Sequence, residues 1–258
     1  MNRGFALVTG ASRGIGAALA AALARAGYDL LLTARSAADL ESQREHLQKS
    51  GGEVRIVCAD LAQGGAGQVT AAAANLPLTL LVNNAGVGSF GEFTLLPGER
   101  ELEQVRLNLE ATIALTHGLL PQMLRAGRGA ILNVASTAAL QPVPYMATYA
   151  ATKVFLLHFS LALREELRGS GIHVMALCPG PTRTNFFAAS HSPLPPGLQS
   201  AEAVAALALR GLRQRKAVVI CQPRAAALSA LERLLPRTTV THFAGKVVGA
   251  WKNSKSSS

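Results

Sequence analysis

The 258-residue chain predicts an α/β fold: a doubly wound parallel sheet of about seven strands with helices on both faces, plus an amphipathic helical extension at the C-terminus. Three observations carry that expectation. Short β-prone apolar runs alternate with segments of helical periodicity, as crossover connections in a parallel sheet require. Hydrophobic residues make up 49% of the chain and aromatics only 5%, so the core is aliphatic, which suits strands buried on both faces. The chemistry-bearing residues fall just after predicted strands, or on helices leading away from them, where open α/β sheets bind their ligands.

The first strand is Phe5–Thr9, apolar and β-prone. A glycine-rich turn follows, and Ile15–Arg25 repeats alanine and leucine at helical spacing until Gly27 stops it. Asp29–Thr33 is the second strand, and Ser36 with Asp39 forms a capping box for a helix at about 37–49. Glu53–Cys58 is the third strand, ending at Asp60-Leu61, and Leu78–Val82 is the fourth, followed by Asn83-Asn84-Ala85-Gly86. A long helix at about 98–125 carries Asn108. Ala130–Val134 is the fifth strand and leads into Ser136, and Tyr145–Arg168 is helical. Ile172–Leu177 is the sixth strand, ending at Cys178-Pro179-Gly180. A helix at about 201–214 and a strand at Ala217–Cys221 complete the series, with no internal repeat.

This length suits one α/β domain, placed at residues 1–222. Residues 223–252 form a basic helical extension and 253–258 a disordered tail. In the extension, Ala227, Leu228, Leu231, Leu234 and Leu235 make an apolar stripe ending at Pro236. Val240, Phe243, Ala244, Val247, Val248 and Trp251 make a second one at helical spacing, accompanied by Lys246, Lys252 and Lys255. The net charge of +10 is concentrated there: residues 1–209 hold fifteen Lys/Arg against fourteen Asp/Glu, and residues 210–258 hold ten against Glu232 alone. That asymmetry suggests an anionic neighbour, beside the plainer reading of a solubilising surface. Docking of the extension on the domain or a sister subunit is favoured, with peripheral contact to an anionic membrane as the alternative. Cys58, Cys178 and Cys221 are odd in number and widely spaced, so neither a disulfide framework nor a metal site is expected, and the default compartment is the reducing cytoplasm. The N-terminus runs straight into a strand, with no room for a cleavable signal, and no run of eighteen apolar residues occurs.

The turn Gly10-Ala-Ser12-Arg13-Gly14-Ile15-Gly16 lies between a strand and a helix. Its glycines allow a tight turn and close backbone approach, and the helix N-terminus then faces a pyrophosphate. A site for NAD(H) usually places an acid at the end of the second strand. Here Thr33-Ala34-Arg35 stands there, and Asp39 is better explained as part of the helix cap. Arg35 and Arg13 are positioned to bracket a 2′-phosphate, which favours NADP(H), unless both are merely solvated. Asp60 either accepts from the adenine amino group or caps the next turn. Asn83 to Gly86 line the ribose side of the cofactor, or the Asn83-Asn84 pair serves as turn chemistry.

Tyr149 and Lys153 stand four apart on a helix, hence on one face, with Ser136 thirteen residues upstream. A free phenol titrates near 10 and works best as an acid–base catalyst nearer neutrality. A nearby ammonium, with the charge of an oxidised nicotinamide, would lower it. Cradle, proton donor and cation are what a carbonyl reductase needs.

Those segments together resemble the short-chain dehydrogenase/reductase family, in its branch of about 250 residues. The likeness rests on TGASRGIG at 9–16, Asp60-Leu61, NNAG at 83–86, Asn108, Ser136, YAATK at 149–153, Pro179-Gly180 and Thr182, over about residues 4–221. The resemblance implies a Rossmann-like fold and a catalytic tetrad of Asn108, Ser136, Tyr149 and Lys153. It implies that Ser136 holds the substrate oxygen, that Lys153 also binds the nicotinamide ribose, and that Asn108 keeps a water for proton relay. Gly10, Ser12, Arg13, Gly14, Ile15, Gly16, Arg35, Asp60, Leu61, Asn84, Ala85, Gly86, Pro179, Gly180 and Thr182 would hold the cofactor, with Thr182 at the carboxamide. Residues 183–200 fall where that family carries its substrate lid, and Phe186, Phe187, Leu194 and Leu198 make it apolar, as a lipophilic ketone (fatty-acyl or steroid) or core packing would require. Prolines 193, 195 and 196 prevent a regular helix there. Tyr145 reads as a pocket wall and His191 as solvated. By analogy the chain forms a homo-dimer or homo-tetramer through the 98–125 and 145–168 helices. A cofactor-binding sensor or scaffold without turnover is the alternative from another class. A nucleic-acid binder is disfavoured because the tail lacks interleaved exposed aromatics.

Overall fold

In a computed structural model of the chain, residues 3–195, 197–225, 227 and 235–253 are described. The strands are β1 (Phe5–Thr9), β2 (Asp29–Ala34), β3 (Val54–Cys58), β4 (Leu78–Asn83), β5 (Gly129–Val134), β6 (Ile172–Cys178) and β7 (Val218–Ile220). They pair in the order β3-β2-β1-β4-β5-β6-β7, every pair parallel. The order reverses between β1 and β4, so the crevice at their carboxyl ends is the switch point of the sheet.

The helices are α1 (Gly14–Arg25), α2 (Ala37–Gln48), α3 (Ala66–Ala73), α4 (Gly98–Val105), α5 (Ala111–Ala126), α6 (Ala147–Glu166), α7 (Phe186–Ala189), α8 (Ala201–Arg213) and α9 (Arg237–Asn253). Strand alternation sends successive side chains to opposite faces. Leu7, Leu31, Leu81, Ile131 and Val174 meet Val69 of α3 and Leu115, Leu119 and Met123 of α5. Ala6, Val8, Leu30, Leu32, Leu80, Leu132 and Met175 meet Leu19 and Leu23 of α1 and Val204 and Ala208 of α8. Each fully buried leucine contributes about 1.5–3 kcal/mol. As expected, Ser36 caps α2, accepting from the Asp39 N–H at 3.2 Å.

Several expectations change in detail. The long helix at 98–125 is interrupted by a π turn over Arg106–Glu110, which separates α4 from α5. The helix expected from Tyr145 starts at Ala147, because Tyr145 has φ 66° and Met146 has φ −137°, neither of them helical. The stripe on α9 is only half used. Val240, Ala244 and Val248 are buried, whereas Phe243 is 61% and Val247 56% exposed. The helix seats by close approach of Gly245 and Gly249 to Pro144 and Tyr145, and this turns Phe243 and Val247 outward. The side chains of Trp251 and Lys252 lie outside the described residues, as do Pro196, Leu228, Leu231, Leu234 and residues 254–258. No helix among the described residues is long and apolar enough to cross a membrane.

Candidate active site

The glycine turn and the end of β4 are built as one piece. Gly10 (φ 63°) and Gly14 (φ 59°) occupy the left-handed region that side chains disfavour. A Cβ at Gly16 would stand 2.1 Å from the Gly10 carbonyl oxygen and 2.5 Å from Asn84 Nδ2, so only glycine lets α1 come this close to β1. Thr9 Oγ1 accepts from the N–H groups of Asn84 and Ala85, both at 2.9 Å, and donates to the Val82 carbonyl at 3.2 Å. Asn84 Nδ2 donates to the Thr9 carbonyl at 2.8 Å. The Asn84–Gly86 run is thereby locked against the turn that carries Ser12 and Ile15. This cradle, open where a Cβ would fill it, fits a dinucleotide.

Arg13 and Arg35 sit at the mouth of the cradle, but both have carboxylate partners. Arg13 pairs with Asp39 at 2.6 Å and Arg35 with Glu103 at 3.5 Å. Both guanidiniums are about three-fifths exposed, at 61% and 60%, so these pairs are solvent-screened and weak. A 2′-phosphate can compete for either. Asp60 caps the short 3-10 turn Leu61–Gln63, Oδ1 accepting from the Ala62 N–H at 2.9 Å, and Leu61 is buried. The capping role is thus realised by one of its two oxygens.

Ser136, Tyr149, Lys153 and Asn108 converge beyond the ends of β4 and β5. Ser136 follows β5 and caps the 3-10 turn Thr137–Ala139, with Oγ accepting from the Ala138 N–H at 3.1 Å. Its hydroxyl is also hydrogen-bonded to the Tyr149 phenol. Lys153, one turn further along α6, is buried and donates from Nζ to the Val134 carbonyl at 2.9 Å. Its Nζ lies 5.6 Å from the centre of the Tyr149 ring. Asn108 is in the π turn, fully buried, with Oδ1 accepting from Val87 N–H and Nδ2 donating to Val87 O and Thr152 Oγ1, each at 3.0 Å. A Cβ on Gly86 would lie 3.1 Å from Asn108 Oδ1 and 3.3 Å from Lys153 Nζ, so Gly86 keeps the space between them open.

The electrostatics of this cluster differ from the simple expectation. Burial pushes the Tyr149 phenol up to about 12, and the Ser136 hydrogen bond pulls back against it. Burial likewise pushes Lys153 down to about 8, opposed by the nearby Cys178 thiol. The two groups share one dry site that penalises either charge. The ammonium faces the ring of Tyr149, so its effect on the phenol is smaller than helical spacing alone suggests.

Two flanks complete the site. After β6, the Pro179 carbonyl accepts from Thr137 N–H at 2.8 Å, and buried Thr182 donates to the Gly180 carbonyl at 2.8 Å. The apolar segment after β6 reaches the Tyr149 phenol: Phe186 lies 5.1 Å from Tyr149 between ring centres and Phe187 packs edge-on behind it. Gly88 makes this possible, since a Cβ there would stand 2.7 Å from the Phe186 ring. Leu194 is 70% exposed and Leu198 half-buried. His191 is exposed, with φ 55°. Sequence reasoning missed Gly88, and also Thr152, which joins Asn108 to the Tyr149 carbonyl (2.7 Å). The YAATK spacing marked the position of Thr152 but not its role.

A profile of the short chain dehydrogenase family matches residues 4–194. The chain belongs to the short-chain dehydrogenase/reductase family. It is thus an enzyme of the oxidoreductase class that works on keto and hydroxyl groups. A short-chain dehydrogenase from Sphingobium yanoikuyae, solved in complex with NADPH, is 33% identical, with a TM-score of 0.83 over 89% of this chain and 92% of that one. The bulky-bulky ketone specific alcohol dehydrogenase from Comamonas testosteroni is 30% identical, with a TM-score of 0.81 over 91% of this chain and 92% of that one. A very-long-chain 3-oxoacyl-CoA reductase from Laccaria bicolor is 38% identical over 176 residues, which are 66% of this short-chain dehydrogenase. The match spans 52% of that relative, about half its length.

Proposed function

We propose that this short-chain dehydrogenase reduces the carbonyl of a lipophilic ketone or 3-oxoacyl compound with NADP(H), Tyr149 being the proton donor. The observation that carries the reading is the half-buried Ser136–Tyr149 pair beside buried Lys153, with the apolar ring of Phe186 against it. Ser136 holds the carbonyl oxygen beside the phenol, where Tyr149 releases its proton to it. Bound NADPH supplies the hydride. Lys153 binds the nicotinamide ribose and stabilises the phenolate left behind. Asn108 anchors Val87 and Thr152 around that centre, and the π turn marks it as a place where helix regularity yields to function. Phe186 and Phe187 exclude water, which suits an apolar substrate.

The NADPH complex of the Sphingobium relative supports the cofactor, and the bulky-ketone and 3-oxoacyl specificities named for two relatives support the substrate class. The groove of Val105, Leu109, Ile113 and Ala114, flanked by Glu110 and His117 and running from the end of α4 across the π turn into α5, supports pairing of two copies, in a family whose members are commonly oligomeric. Three free cysteines suit a reducing, cytoplasmic setting.

The reading is tested by titrating NADPH and NADH against a panel of aliphatic and aryl ketones with wild type and Arg35→Asp. Wild type should prefer NADPH, and Arg35→Asp should lose about tenfold to a hundredfold in that preference, the value of one charge-assisted phosphate contact. Equal use of both cofactors by wild type overturns the NADP(H) assignment. Absence of turnover on every ketone, despite cofactor binding, would favour a sensor.

A further inference from the structure

Tyr145 touches α9 and also lines a cavity at the start of α6, the helix that carries the candidate proton donor. The cavity, of about 250 Å³, is lined by Gly91, Glu92, Phe93, Leu96, Tyr145 and Ala147. Ala147 opens α6 two residues before Tyr149. Tyr145 is held chiefly through its backbone. Its backbone holds φ 66°, a region unfavourable for a bulky side chain. Its carbonyl accepts from the Gly91 N–H at 2.9 Å, and its ring lies 6.1 Å from that of Phe90.

The C-terminal helix closes the remaining side. Gly245 and Gly249 are four apart and share a face of α9, next to buried Val240, Ala244 and Val248. A Cβ at Gly245 would lie 3.4 Å from Pro144 Cγ, and one at Gly249 would lie 3.6 Å from both Cε2 and Oη of Tyr145. A methyl fits at either place. A longer side chain at 249 has to displace the tyrosine, which also lines the cavity.

We infer that Tyr145 and Gly249 form a specificity-determining pair: the tyrosine ring is a movable partition that limits substrate size, and the glycine on α9 leaves the room in which it stands. The basic extension is on this account a back wall of the substrate site. The inference rests on the ketone-reductase reading. Removing the ring joins the cavity to the space in front of Gly245 and Gly249. Lengthening residue 249 then refills that space.

The experiment compares full-length wild type, Tyr145→Ala, Gly249→Leu and the double variant, with Gly249→Ala as a control for tolerance. The readout is kcat/KM with NADPH for benzophenone relative to cyclohexanone. Tyr145→Ala should raise the ratio about tenfold, the scale on which a few methylenes discriminate in an apolar pocket. Gly249→Leu should lower it, by driving the ring into the cavity, and Gly249→Ala should leave it unchanged. In the double variant the gain of Tyr145→Ala should be cancelled, a coupling of neighbours. NADPH affinity, read by fluorescence titration, should be the same in all five proteins and so certifies their folding. An unchanged ratio in Tyr145→Ala, or strictly additive effects at the two positions, overturns the inference. Absence of turnover in every protein overturns the reductase reading instead. The partition is then read from thermal shift with benzhydrol and NADPH, where a shift no larger in Tyr145→Ala than in wild type overturns it as well.

Discussion

Desolvation pushes the half-buried Tyr149 phenol up to about 12, so it keeps its proton at neutral pH but is a weaker acid than the free side chain. Accepting a proton from an alcohol asks for a lower value. The positive charge of an oxidised nicotinamide would add to that of Lys153, which at about 8 is still largely ammonium at neutral pH but faces the ring of Tyr149. His173 on β6 shows the same physics away from the site. It is 3% exposed, Arg164 Nη1 lies 2.6 Å from its Nδ1, and burial with the charges of Arg164 and Arg215 pushes it down to about 4. The unfolded chain therefore binds a proton more readily than the folded one between pH about 4 and 6.5. The stability tied to neutral His173 is complete above pH 6.5 and is lost as the pH falls through that window. Melting temperatures from pH 4 to 7 should fall more steeply for wild type than for His173→Gln, and parallel curves would refute the assignment. At this scale the spacing of Ser136, Tyr149 and Lys153 located side chains that the structure brings together. It could not disclose the Phe186–Tyr149 contact or the need for glycine at 88, which arise from chain segments about forty and about a hundred residues apart respectively.

Elements were legible where period and punctuation agree. The alternation of apolar runs located all seven strands, and Ser36 with Asp39 located the start of α2. The π turn around Asn108 left no mark in the periodicity, because inserting one residue per turn for a single turn preserves the overall apolar pattern. On α9 the apolar stripe misled about the docked face. Gly245 and Gly249 carry no hydrophobic signal, yet their smallness brings the helix onto Pro144 and Tyr145. Glycine within a helix costs about 1 kcal/mol relative to alanine. Gly245→Ala places a methyl 3.4 Å from Pro144 and should slow hydrogen exchange of the α9 amides by about fivefold, that energy on the exchange equilibrium. Faster exchange would mean that this contact cannot admit a methyl group.

Across the whole molecule, the parallel order of the sheet sets β1 beside β4 and so brings the glycine turn, the Asn84–Gly86 run and Ser136 to one edge. Nothing local in the sequence encodes that adjacency. It follows from the handedness and burial rules of crossover folds. The same wrapping leaves Ile113 43% and Val105 40% exposed on α4 and α5, an apolar surface suited to a second copy. Light scattering should find Ile113→Glu shifted to a smaller species than wild type, since a carboxylate buried without a partner opposes association. An unchanged mass would place any subunit contact elsewhere.

The account stands most directly on the hydroxyl of Tyr149, removed in Tyr149→Phe while the ring against Phe186 is kept. Steady-state reduction of a lipophilic ketone, measured beside NADPH titration, should fall about a hundredfold to ten-thousandfold with cofactor affinity retained, the range for a lost general acid. Undiminished turnover in that variant would contradict it.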